Sequence, residues 1–121
     1  MAILRNLRWV SAVAGMTAVF SFHASAIGAA ESSAAAPSAS RRGELINLVR
    51  QDCGSCHGLT LKGGLGPALL PDALHGKPAS SLVATILQGR PGTAMPPWRP
   101  FLTEPEVGWI VEQLQKGFPN E

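Results

Sequence analysis

A chain of 121 residues has room for one small domain and little more. Its formal charge of +2 gives none of the basic footprint that nucleic acid requires, so that partner is excluded. The two cysteines, Cys53 and Cys56, stand too close in sequence to close a stabilising disulfide loop.

Taken in chain order, the first feature is a leader. Arg5 and Arg8 precede a mostly apolar run from Trp9 to Phe22, and Ala24-Ser25-Ala26 offers a small-residue cleavage site. This pattern predicts a signal peptide over 1–26 and export of the rest. The apolar run is 14 residues long, short of the roughly 20 needed to cross a bilayer. A membrane association is therefore expected only if the leader is retained. Loss of Arg5 and Arg8 leaves eight basic against eight acidic residues, a neutral chain unsuited to capture by a dense lysine ring.

Residues 27–40 are small and low in complexity, and predict a flexible linker. A domain is expected over 41–119. Leu45, Ile46, Leu48 and Val49 fall on one face of a helix over 43–53. The glycines and prolines of 58–77 forbid a long helix or strand there, apart from a short turn at Pro71-Asp72-Ala73-Leu74. The leucines of that loop (Leu59, Leu61, Leu65, Leu69, Leu70, Leu74) predict packing against something apolar. Pro78 suits the first turn of a second helix, with Leu82, Val83, Ile86 and Leu87 as its stripe and Gly89 as its cap. A second irregular loop runs over 90–102. Thr103 and Glu106 then form a capping box, and Val107, Ile110, Val111 and Leu114 make the buried face of the last helix. No stretch alternates with a period of two. The fold class is all-α, about three helices with two long loops.

The chemistry sits where the first helix ends, at Cys53-Gly54-Ser55-Cys56-His57. C-x-x-C-H is the signature of covalent c-type haem attachment. The two thiols become thioethers and the adjacent imidazole ligates the iron. One such haem would also staple a domain too small to rely on side chains alone. The iron's second axial ligand is expected to be Met95, the only methionine outside the leader, in a loop stiffened by Pro91, Pro96 and Pro97. A thioether opposite histidine raises the reduction potential, as electron transfer requires. His75 is the rival ligand, read here as an exposed loop residue. A thiol oxidoreductase would place the cysteines after a strand in a βαβ pattern, which is absent. A zinc site would have to count Cys53, Cys56, His57 and His75, of which Cys56 and His57 are adjacent and poorly placed together.

Together these features resemble a small monohaem cytochrome c, over about residues 41–119. The likeness implies a cytochrome c fold with the N- and C-terminal helices crossed beside the haem, Gly43 at a close approach and Trp109 at the crossing. It implies that the Pro67 carbonyl accepts the His57 N–H, and that Trp98 and Arg99 contribute to the haem environment. The stretches Asp52 to Leu69 and Gly89 to Trp98 resemble the cytochrome c55X group associated with cytochrome cd1 nitrite reductase. That resemblance implies a periplasmic, non-enzymatic electron carrier in denitrification, a monomer serving the reductase as donor or serving the maturation of its d1 haem. The docking patch is expected to be apolar and neutral, at the haem edge near Cys53 and Cys56. Other readings are a general periplasmic carrier for another oxidoreductase, and a ligand-binding haem protein with a labile sixth site.

Overall fold

The first helical run continues without a break from Ala39 to His57, but it changes its winding on the way. Helix α1 spans Ala39–Leu48, a π-helical turn spans Val49–Cys53, and the short α2 spans Gly54–His57. The computed structural model describes residues 35–119, and the leader predicted over 1–26 lies outside them. Helix α1 starts earlier than the apolar spacing suggested, inside the segment 27–40 read as linker. The reason is local. Ser38 caps the helix by accepting a bond from the Arg41 N–H, and Pro37 is buried, with its carbonyl accepting from Arg42 Nε at 2.9 Å. Small residues that look like linker serve equally well as the first turn of a capped helix.

Helix α3 spans Pro71–Leu74, α4 spans Ala79–Gln88, and α5 spans Glu104–Lys116. There is no strand among the described residues. Helices α3 and α4 both pack on α5. Leu45 and Val49 on the first run, with Val107 and Val111 on α5, are the largest fully buried side chains, and they join one cluster with Leu74, Leu87 and Leu102. Trp109 packs against that cluster. Gly43 does not serve as a close approach: a Cβ there would meet nothing within 4 Å. The first helix and α5 are joined at that end by charge instead, with Arg41 Nε donating to Glu106 Oε1 at 2.6 Å.

The same Glu106 begins α5. Its Oε2 accepts from the Thr103 N–H at 2.7 Å and from Thr103 Oγ1 at 2.9 Å, closing the predicted capping box. The leucine-rich loop divides in two. Leu61, Leu69 and Leu74 pack into or against the core, while Leu59 and Leu65 are 68% and 79% exposed. Leu61 is buried at the expense of a left-handed backbone, φ +58°, a cost of about 1–2 kcal/mol for a residue with a Cβ. Its carbonyl accepts from the Leu69 N–H at 2.8 Å, which holds the two ends of the loop together.

Candidate functional site

The helical run delivers Cys53, Cys56 and His57 to the wall of an apolar cavity of about 580 Å³. Cys56 and His57 are fixed from behind. The loop that follows folds back onto α2, its Gly66 N–H donating to the Cys56 carbonyl and its Gly63 N–H to the His57 carbonyl, each at 2.8 Å. This return brings Pro67 beside the imidazole, and His57 Nδ1 lies 2.7 Å from the Pro67 carbonyl oxygen. A carbonyl only accepts, so Nδ1 carries the proton and Nε2 is the nitrogen with a free lone pair. Gly66 flanks the ring so closely that a Cβ would stand 2.7 Å from His57 Cε1 and 2.8 Å from Nδ1.

A further part of the wall comes from α4 and the loop after it. Leu82 and Ile86 line the cavity, and so do Met95 and Trp98. The Met95 loop is clamped to the end of α4 by backbone bonds. Trp98 N–H donates to the Ile86 carbonyl at 3.1 Å, Arg99 N–H to the Leu87 carbonyl at 3.2 Å, and Arg90 N–H to the Met95 carbonyl at 3.1 Å. Gly89 permits the clamp. Its φ is +69°, and a Cβ would stand 2.7 Å from the Pro96 carbonyl carbon and the Pro97 nitrogen.

Burial, and then the neighbouring Asp52 carboxylate, push the Cys53 thiol up to about 11. The wall therefore disfavours a thiolate, whereas a thioether has no proton to lose and suits such a surface. The donor set fits a flat, largely apolar macrocycle held by two sulfurs, with a nitrogen ligand and a thioether available to its metal. The cavity also holds two cations that sequence reasoning passed over, Lys77 and Arg90. No local pattern marks them; only the return of α4 and its loop sets them at this wall. Of the other candidates, Pro67 and Trp98 line the cavity, while Arg99 and His75 are exposed and stand off its wall.

Comparison with known proteins agrees with this arrangement. The family described as cytochrome C oxidase, cbb3-type, subunit III matches residues 41–113. Cytochrome c55X of Pseudomonas aeruginosa is 60% identical over 81 residues, covering 67% of this chain and 68% of that protein. Cytochrome c55X of Stutzerimonas stutzeri is 56% identical over 87 residues, covering 72% and 77%. Among solved structures, a c-type cytochrome NirC superposes with a TM-score of 0.67 at 58% identity, covering 68% of this chain and 96% of that one. A dihydro-heme d1 dehydrogenase of Pseudomonas aeruginosa is 36% identical over 74 residues, 61% of this chain but 15% of that longer protein.

Proposed function

This chain belongs to the cytochrome c55X family of c-type cytochromes, and we propose on that footing that it is a periplasmic one-electron carrier of the nitrite reductase system. It is an electron-transfer protein, and haem c is the cofactor its family implies. In the proposed site Cys53 and Cys56 would hold one haem through thioethers, and His57 and Met95 would supply the nitrogen and sulfur ligands to its iron. When bound, the haem supplies a metal that changes its charge by one unit without making or breaking a bond.

The observation that carries this reading is convergence. Two thiols, an imidazole and a thioether from separate parts of the chain share one apolar cavity. The chain's own work follows from the geometry. The Pro67 carbonyl fixes the tautomer and orientation of His57 and raises its basicity as a ligand. The α4 clamp holds the Met95 loop with little freedom left to lose. Leu82, Ile86, Leu102 and Trp98 exclude water, which limits the solvent rearrangement that accompanies a change in charge. Lys77 and Arg90 are the wall cations available to the macrocycle's carboxylates.

The test is spectroscopic. Protein exported in a host with haem-attachment machinery should carry haem that survives acid–acetone extraction. Its oxidised form should show the weak long-wavelength sulfur-to-iron band of a thioether ligand, and Met95→Ala should abolish it. Persistence of the band in that variant would rule Met95 out. The likeness to part of a dihydro-heme d1 dehydrogenase makes d1 haem maturation one setting, and electron donation to cytochrome cd1 is the other. Reduction of this protein by that dehydrogenase turning over its substrate would support maturation. Reoxidation by cytochrome cd1 alone would support the donor role.

A further inference from the structure

The expected docking patch lay at the cysteine edge, but the turn after the Met95 loop has the more specific surface. Leu65 is exposed on the cysteine side, yet it lines the cavity, so a bound group would cover part of it. Phe101 is different. It is 69% exposed and stands off the cavity wall, so no occupant of the cavity accounts for its exposure. It follows the Met95 loop in a tight turn, its N–H donating to the Trp98 carbonyl at 2.9 Å. Its ring meets Trp98 edge-on, with centroids 6.0 Å apart and planes at 64°. Trp98 in turn lines the cavity. One aromatic pair therefore runs from the cavity wall to the surface.

The chain segment that carries this turn is basic, and Glu104 is exposed where α5 begins after it. From Ala73 to Thr103 the chain contains Lys77, Arg90 and Arg99, and no aspartate or glutamate. All three are exposed; Lys77 and Arg90 also line the cavity, whereas Arg99, beside Phe101 in the turn, does not. Pro96, Pro97 and Pro100 stiffen the turn, so little ordering entropy is lost when it is covered. An exposed aromatic ring beside an arginine is the composition of an interface anchor.

We propose that the turn Trp98–Leu102 is the surface on which a redox partner docks, and that the partner offers an apolar depression for Phe101 with a carboxylate beside it for Arg99. This rests on the electron-carrier reading above. The exchange moves one electron and no atoms: this protein is oxidised by one electron and the partner's acceptor is reduced by one. The Trp98–Phe101 pair shortens the gap across protein, and transfer rates fall steeply with that distance.

The test uses the holoprotein and three variants, Phe101→Ser, Arg99→Glu and Leu59→Ser, the last an exposed leucine of the other loop. Each should retain the wild-type midpoint potential and spectrum. In stopped-flow mixing with cytochrome cd1, Phe101→Ser and Arg99→Glu should slow reoxidation by about tenfold at low salt, the scale of a lost steering charge or contact. Leu59→Ser should stay within about twofold, as expected of a residue outside the interface. On titration with that partner, amide chemical shifts of the reduced holoprotein should move most at Trp98–Leu102. Wild-type rates in both turn variants, or shifts centred on the cysteine loop, would overturn the proposal. If cytochrome cd1 fails to oxidise even the wild type, that assignment of partner falls and the surface is tested with small oxidants. Arg99→Glu should then slow oxidation by ferricyanide and speed oxidation by tris(phenanthroline)cobalt(III). An unchanged ratio of the two rates would overturn the docking surface as well.

Discussion

At the scale of single residues, two glycines decide where the proposed ligands stand. Gly66 lies against the imidazole, and a methyl group there would overlap it at 2.7 Å. Gly66→Ala should turn His57 away from the Pro67 carbonyl. A ligand without that acceptor is a weaker donor and favours the oxidised iron less, so the midpoint potential should rise in a redox titration. An unchanged potential would show that the contact does not tune the site. Gly89 combines a positive φ with a close approach to Met95–Pro97. Gly89→Ala should destabilise the holoprotein by about 1–3 kcal/mol and weaken the sulfur-to-iron band, measured by denaturant titration and absorbance. The signature and Met95 could be read from sequence because their chemistry is local: a spacing of two thiols and a lone thioether. Lys77 and Arg90 could not, since nothing in their immediate neighbours marks them as wall residues. Arg99 illustrates the converse. Proximity to the ligand loop suggested the haem environment, but the turn after Trp98 leaves it facing solvent.

At the scale of elements, Glu106 does two jobs. It caps α5 through Thr103 and ties α5 to α1 through Arg41. The Arg41 hydrogen bond, foremost, and the Thr103 bonds hold its carboxyl below the ordinary carboxylate range. A lowered value in the folded state means that this stability is fully present above the unfolded carboxylate's pKa. It is lost as pH falls through the lower folded value. Glu106→Gln keeps an acceptor for the Thr103 N–H but removes the charge paired with Arg41, and should cost up to about 1 kcal/mol at neutral pH. It should also reduce the loss of stability between about pH 5 and pH 3, a window set by the ordinary carboxylate value, measured by urea unfolding of the holoprotein. The capping box was legible because its partners are three residues apart. The Arg41 contact spans 65 residues, a separation over which no local pattern carries information. The start of α1 at Ala39 was missed for a related reason: alanine and serine suit a linker and a capped first turn equally, and the decision rests on Ser38 and the burial of Pro37.

At the scale of the whole molecule, the core is thin. Ten hydrophobic side chains are buried among the described residues, and five of them (Leu74, Leu102, Ile110, Val111 and Leu114) line a cavity of about 580 Å³ rather than fill the space beside the helices. Side-chain adjustment of a methylene or two cannot close such a space. Replacement of both thiols, Cys53→Ser with Cys56→Ser, should therefore abolish cooperative thermal unfolding as followed by far-ultraviolet circular dichroism. A sharp transition near that of the holoprotein would show that the polypeptide holds its shape unaided. The all-α class was legible from periodicity, and so was the buried face of the last helix. The split of the leucine-rich loop was not legible, because composition does not tell Leu61, turned inward on a left-handed backbone, from Leu59 or Leu65.

The π-helical turn at Val49–Cys53 has a consequence for how this helix can vary. Leu45 before it and Val49 at its start join the core cluster with α5; Cys53 at its end, and Cys56 and His57 beyond it, line the cavity. The turn acts as a phase adjuster between two clients on one shaft. Each residue of an α-helix advances about 100° around its axis, and a π-turn accommodates one residue beyond that count. Deleting a single codon within 49–53 would restore regular winding and swing the thiols by about that angle relative to α1. The length of this stretch is therefore constrained more tightly than its composition: Gln51 is exposed and free to become another polar residue, but not to disappear.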